Sequence, residues 1–176
     1  MARSLALLRG INVGGKNRLG MADLVDIFET IGCTRVETYI QSGNVVFEPP
    51  GGGLETVAPR VTAALNSRHG LTVPVITRTG DELRLLAGSS PLGDVDPRAV
   101  HVCFLADQAD PSRLDPRRSP GDSFVVLGRE IYLHLPNGVA RTKLTNAYFD
   151  RVLGTVSTVR NWATVGALAG MVPPAG

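Results

Sequence analysis

The chain has 176 residues, with 18 Lys and Arg against 16 Asp and Glu, and 43% of its residues are hydrophobic. This apolar content excludes wholesale disorder and collagen-like repetition, and the length allows one domain or two small halves. A net charge of +2 excludes an overall electrostatic signature of nucleic-acid binding, and two cysteines, Cys33 and Cys103, exclude a disulfide framework and point to a reduced, cytoplasmic setting.

Hydrophobic periodicity predicts strands and helices in alternation over the first half of the chain. Strands show apolar runs or strict alternation, helices show apolar residues three and four positions apart, and Gly32 and Gly70 end the two helices. Ser42-Gly43-Asn44 predicts the tight turn of a β-hairpin. The predicted elements are a strand at 4–9, a helix at 21–31, strands at 35–41 and 45–47, a helix at 54–69 and an edge strand at 71–76.

The order of elements over residues 4–77 is that of the ferredoxin-like split βαβ unit, an α+β fold with an antiparallel sheet and both helices on one face. The second half of the chain repeats this order less regularly. We therefore expect two ferredoxin-like α/β sandwich halves, residues 1–77 and 78–176. The second half is predicted to contain a helix at 81–87, a strand at 99–105, a short helix at 111–117, a hairpin of 122–127 and 130–135, and helices at 140–153 and 159–171.

No segment has the length and apolar density of a membrane span. The longest uncharged stretch, 161–176, is interrupted by glycines and prolines, and the apolar run at 5–8 is too short for a signal peptide. We expect a soluble protein with no membrane partner.

The segment from Gly10 to Lys16 fits the phosphate-loop spacing G-x-x-x-x-G-K after a predicted strand. A triphosphatase also needs Ser or Thr after the lysine and a helix that begins there. Asn17 stands at that position, and Gly20 interrupts any such helix. A more general role fits better, since the glycine amides together with the nearby cations Arg9, Lys16 and Arg18 can bind an anion.

Three longer motifs carry a resemblance to a known family. Residues 7–15 (LLRGINVGG), residues 39–47 (YIQSGNVVF), and Arg160-Asn161-Trp162 with Thr164 resemble the motifs of the bacterial domain-of-unknown-function family 1697. The resemblance covers nearly the whole chain and implies two ferredoxin-like halves, but no established activity. Val159 and Ala163 stand where the last motif would have Thr and Asn, so this chain has fewer hydrogen-bonding groups there.

Other chemical constellations are weaker. Ser42 lacks the G-x-S-x-G elbow of a hydrolase nucleophile, and turn chemistry accounts for it. His101, Cys103 and His134 match no recognised metal spacing, so we predict no metal site. Phe47 alone offers a stacking surface on the two central strands, so base recognition is not expected.

These observations favour binding of a small anionic ligand, phosphorylated or carboxylated, in a groove between the glycine-rich loop and the Ser42 turn, closed by the Arg160 segment. A structural or protein-interaction module without a ligand is the alternative. Weak contact with nucleic-acid phosphates, or an enzyme of unknown reaction, ranks third. No cofactor is predicted, and the oligomeric state is left open. The predicted ligand-binding residues are Arg9, Gly10, Asn12, Gly14, Gly15, Lys16, Asn17, Ser42, Asn44, Lys143, Arg160 and Asn161.

Overall fold

The computed structural model describes residues 2–174 and 176. Its regular elements are eight strands and five α-helices, joined by loops and short 3-10 turns within the described residues. The strands are β1 (Ser4–Leu8), β2 (Thr34–Tyr39), β3 (Asn44–Glu48), β4 (Val75–Thr79), β5 (Val100–Leu105), β6 (Ser123–Leu127), β7 (Glu130–His134) and β8 (Ser157–Asn161). The helices are α1 (Met21–Thr30), α2 (Val57–His69), α3 (Gly80–Gly88), α4 (Asn146–Leu153) and α5 (Trp162–Gly170).

The first compact unit comprises Met1–Leu86 and Leu168–Gly176. Its antiparallel sheet has the order β2-β3-β1-β4, which is the ferredoxin-like order. All five residues of β1 are buried, as expected for a central strand covered on both faces. Ala6 and Leu8 on one face of β1 pack with buried residues of α1 and α2, including Phe28 and Val61, so both helices cover the same face of the sheet as predicted.

The second unit, Ala87–Ala167, has the order β6-β7-β5-β8. Counted from its own first strand, this is the same order as in the first unit. The helix after the first strand is replaced by an irregular segment with one 3-10 turn, Pro111–Arg113. Phe149 of α4 packs in the core of this sheet beside Leu133. The predicted fold class, α+β with two ferredoxin-like antiparallel halves, is confirmed.

The end of the chain differs from the sequence prediction. The sequence predicts one helix over residues 159–171, but Ser157–Asn161 is β8, which pairs with β5, and α5 begins only after it. Asn161 Oδ1 accepts a hydrogen bond from Thr164 N at 2.8 Å, so it caps the helix and fixes its start. The helix expected at 140–153 begins only at Asn146, where Thr145 accepts a hydrogen bond from Tyr148 N.

The boundaries of the compact units also differ from the expected division at residue 77. Helix α3 groups with the first unit as far as Leu86, and so does the C-terminal segment from Leu168. Side chains of the first unit hold that segment: Arg3 Nη1 donates to the Met171 carbonyl at 3.1 Å, and Arg84 Nη1 donates to the Val172 carbonyl.

In each unit, the last strand of the sheet leads directly into a helix through the same kind of junction. The last residue of β4, Thr79, accepts a hydrogen bond from Glu82 N, just as Asn161 at the end of β8 accepts one from Thr164 N. An arginine, Arg78 or Arg160, precedes the capping residue in each unit.

A membrane-spanning helix is not found among the described residues, since every helix there is too short or too polar to cross a bilayer.

Candidate functional site

The loop between β1 and α1 folds back on itself as a small hairpin. Val13 and Lys16 form an antiparallel bridge, in which Lys16 N donates to the Val13 carbonyl at 3.0 Å. Gly14 and Gly15 between them have φ angles of 58° and 73°. Positive φ at both central residues is typical of a type I′ turn, which requires residues such as glycine. The two glycines therefore shape a tight tip rather than a wide loop.

Two asparagines hold the base of this loop. Asn12 and Asn17 have φ angles of 56° and 50°, and each uses its side-chain amide to bind backbone groups. Asn12 Nδ2 donates to the carbonyls of Leu19 (2.9 Å) and Gln41 (3.1 Å), and Asn12 Oδ1 accepts from Leu19 N (2.8 Å). Asn17 Nδ2 donates to the Gly10 carbonyl at 3.1 Å. Both donor hydrogens of Asn12 are thereby used, so Asn12 positions the loop.

The turn between β2 and β3 packs against the end of β1. Leu8 N donates to the Gly43 carbonyl at 2.8 Å, and a β-carbon at Gly43 would lie 2.8 Å from the Leu8 carbonyl oxygen. Asn44 is fully buried and donates to Ser42 Oγ at 2.8 Å and to the Tyr39 carbonyl at 3.1 Å. Ser42 and Asn44 thus stabilise the turn.

A cavity of about 500 Å³ opens where this loop meets the start of α1. Gly20 is the N-cap of α1, and because it has no side chain, no side-chain cap accepts from the first amides of the helix. Unpaired amides and the helix dipole make such an end attractive to anions. The cavity is lined by Asn12, Gly15, Arg18, Leu19, Gly20 and Gln41.

The charge around the cavity is mixed. Lys16 and Arg18 are exposed, and neither has an ion-pair partner among the described residues. Asp23 lies in the first turn of α1, and its Oδ2 would be 3.3 Å from a β-carbon at Gly20, which places a carboxylate at the rim. Arg9 directly follows β1, and its backbone N–H donates to the Pro74 carbonyl.

Three predicted site residues belong to the second unit. Lys143 is exposed, and its N–H donates to Ser119 Oγ at 3.0 Å. Arg160 Nη1 donates to Thr158 Oγ1 at 2.7 Å and to the Val159 carbonyl, and burial lowers the pKa of Arg160 to about 10. Asn161 caps α5. The prediction that these residues close the loop site stays a prediction.

The structure brings the predicted residues 10–17, Ser42 and Asn44 into one neighbourhood of the first unit through the Asn12–Gln41 hydrogen bond. The predicted list lacks four residues of the cavity wall: Arg18, Leu19, Gly20 and Gln41. Glycine is one of the residues favoured at a helix N-cap, so Gly20 marks the start of α1. The phosphate-loop geometry is absent from the described loop, because α1 starts at Met21 rather than at Lys16. Within the described chain, no group of three His, Cys, Asp or Glu is placed to hold a metal ion.

The family model described as "Protein of unknown function (DUF1697)" matches residues 1–132. The chain belongs to this family. Among solved structures, the conserved bacterial protein SP0830 from Streptococcus pneumoniae is similar, with a TM-score of 0.75 and 19% sequence identity over 98% of this chain and 99% of that one. This likeness supports the two-unit DUF1697 fold. No curated protein matches the chain.

Proposed function

We propose that this DUF1697 protein binds a small phosphorylated or carboxylated ligand in the cavity between the loop 9–20 and the start of α1. The observation that carries the proposal is the position of the cavity, which opens directly on a helix N-terminus whose cap, Gly20, has no side chain. An anion there replaces the missing cap and accepts hydrogen bonds from the first amides of α1.

Two cationic side chains make the proposed site electropositive. Arg18 lines the cavity, and Lys16 extends from the neighbouring hairpin without an ion-pair partner in the described structure. A guanidinium can bind two ligand oxygens at once, whereas an ammonium acts as a compact point charge. Arg18 therefore orients the anionic group, and Lys16 strengthens its attraction. Arg9 belongs to the wider proposed site, whereas Lys143, Arg160 and Asn161 lie in the second unit and stay sequence predictions.

The asparagines support this arrangement indirectly. Asn12 and Asn17 hold the loop in its left-handed conformations by binding backbone groups, so they set where Arg18 and the Gly15 amide lie. Their contribution to affinity is preorganisation, which lowers the entropy lost when a ligand binds.

Thermal unfolding with inorganic pyrophosphate and citrate as probes tests the proposal. Binding to the folded state alone raises the midpoint in proportion to the logarithm of ligand concentration. We expect a midpoint that rises with probe concentration, a rise that Arg18→Ala and Lys16→Ala each reduce and that Lys16→Arg retains in part. Arg117→Ala is the matched control, because Arg117 is an exposed arginine of the second unit. An unchanged shift in Arg18→Ala would contradict the proposed site.

A second candidate function rests on a different observation. Asn12, Asn17, Ser42 and Asn44 all form hydrogen bonds within the loop and turn, which favours a purely structural role for these motifs. Under this alternative, Arg18→Ala leaves both the midpoint and its response to anions unchanged.

A further inference from the structure

The second unit has a cavity of its own, of about 400 Å³, which the anion site does not use. Volumes from about 300 to 1,000 Å³ are those of small-molecule sites. The wall combines the start of α5, the end of β8, the start of β5 and the segment before β5. Its lining residues are Pro97, Arg98, His101, Asn161, Trp162 and Ala163.

The aromatic wall is held in place by a second ring. The ring centroids of Trp162 and Tyr132 are 6.3 Å apart, with planes inclined by 53°. This tilted contact fixes the indole while leaving Trp162 half-buried at the cavity. A preorganised indole is a stacking surface for a flat ligand.

The polar wall offers hydrogen bonds but no net charge. His101 is partly buried and lines the cavity, while its Nδ1 is buried and has no hydrogen-bond partner among the described residues. Burial lowers the pKa of His101, which the backbone of Ala99 opposes only in part, so the imidazole is neutral at pH 7. Arg98 at the rim pairs with Asp96, with Nη2 2.8 Å from Oδ2, so its charge is already balanced.

The geometry points to a binding site for a neutral, planar heteroaromatic ligand of the nucleobase or nucleoside class, stacked on Trp162 and hydrogen-bonded to His101. Asp96 neutralises the charge of Arg98 at this site. At the anion site, by contrast, Lys16 and Arg18 have no acidic partner in the described structure. The ligand class is thus set by an aromatic face and a neutral donor and acceptor edge, rather than by charge.

Fluorescence tests this directly, because Trp162 is the sole tryptophan of the chain. We expect adenosine or guanosine, added to the full-length protein up to about 1 mM, to quench the emission saturably. His101→Ala should weaken the apparent affinity at least about tenfold if a buried hydrogen bond is lost. His101→Gln, which keeps a donor and an acceptor, should restore part of it. Arg18→Ala should leave the quenching unchanged, so this result is independent of the anion site.

Three outcomes would overturn the proposal. The first is the absence of saturable quenching by either nucleoside. The second is quenching by adenosine monophosphate but not by adenosine, which would show that charge is required. The third is quenching that Arg18→Ala abolishes and His101→Ala does not. Circular dichroism of each variant verifies that it is folded, and His101→Gln keeps the test valid if His101→Ala does not fold.

Discussion

Asn12 Nδ2 lies 3.1 Å from the carbonyl oxygen of Gln41 and donates a hydrogen bond to it, which ties the loop after β1 to the turn between β2 and β3. Asn12→Gly keeps the positive φ accessible but removes the hydrogen bonds of the side chain. We expect the free energy of unfolding to fall by about 2 kcal/mol, because the part-buried backbone groups of Leu19 and the exposed Gln41 carbonyl lose their partners. Denaturant titration measures this, and Asn137→Gly, at an exposed turn position, should change it little.

Two glycines with similar backbone angles should respond differently to a methyl group. Gly43→Ala places a β-carbon 2.8 Å from the Leu8 carbonyl oxygen and 2.9 Å from Leu8 Cβ, at a φ of 75°. We expect a loss of about 3 kcal/mol or more in stability. Gly14→Ala meets nothing within 4 Å at a φ of 58°, so it should cost only about 1 kcal/mol. Equal losses in the two variants would contradict the close approach at Gly43.

Ile40 occupies a left-handed conformation that β-branched residues disfavour. Its φ is 47°, and its side chain is 54% exposed, so little packing offsets the strain. We expect Ile40→Asn to raise the free energy of unfolding by about 1 kcal/mol. Ile40→Val keeps the branched β-carbon and should leave the denaturant midpoint unchanged; a rise of equal size in both variants would argue against strain as the cause.

Asp23 should oppose ligand binding at the proposed anion site. Its carboxylate lies in the first turn of α1 beside Gly20, where it repels an incoming anion. We expect Asp23→Asn to tighten pyrophosphate binding about threefold, an effect that added salt reduces. Isothermal titration calorimetry measures the affinity. Glu29→Gln, near the other end of the same helix, is the matched control and should not alter it.

The buried thiol of Cys33 should make stability depend on alkaline pH. Burial raises the pKa of Cys33 from 9.0 to about 11, and Arg60 opposes this shift only weakly. Because the folded-state pKa is the higher one, the protonated thiol favours folding, and this contribution is complete below pH 9 and lost as pH rises towards 11. The loss is at most about 3 kcal/mol. Cys33→Ala should remove this part of the decline in unfolding free energy, and parallel declines in both proteins would contradict the assignment.

Much of the fold is readable from the sequence, because the elements of the first unit show regular hydrophobic periodicity and end at a glycine or a turn. The strand β8 is missed because no glycine or proline separates it from α5. The helical spacing of Trp162, Val165 and Leu168 therefore extends backwards over Val159, although residues 157–159 suit a strand and pair with β5.

The candidate site is only partly readable. The clustering of Lys16 and Arg18 around glycines is visible in the sequence. The left-handed backbone at Asn12 and Asn17 is not, because it depends on hydrogen bonds to Leu19, Gln41 and Gly10 that form only in the folded chain. Those bonds decide which residues meet the start of α1, so Gln41 could not be assigned to the cavity from its position alone.

The attachment of the C-terminal segment has a consequence for the order of folding during synthesis. Arg3 and Arg84 donate hydrogen bonds to the Met171 and Val172 carbonyls. The first unit is therefore built from two separate segments, which precede and follow the second unit in the sequence. A ribosome makes Arg3 early and Val172 only after the whole second unit. The N-terminal unit is therefore the first to start folding and the last to be completed.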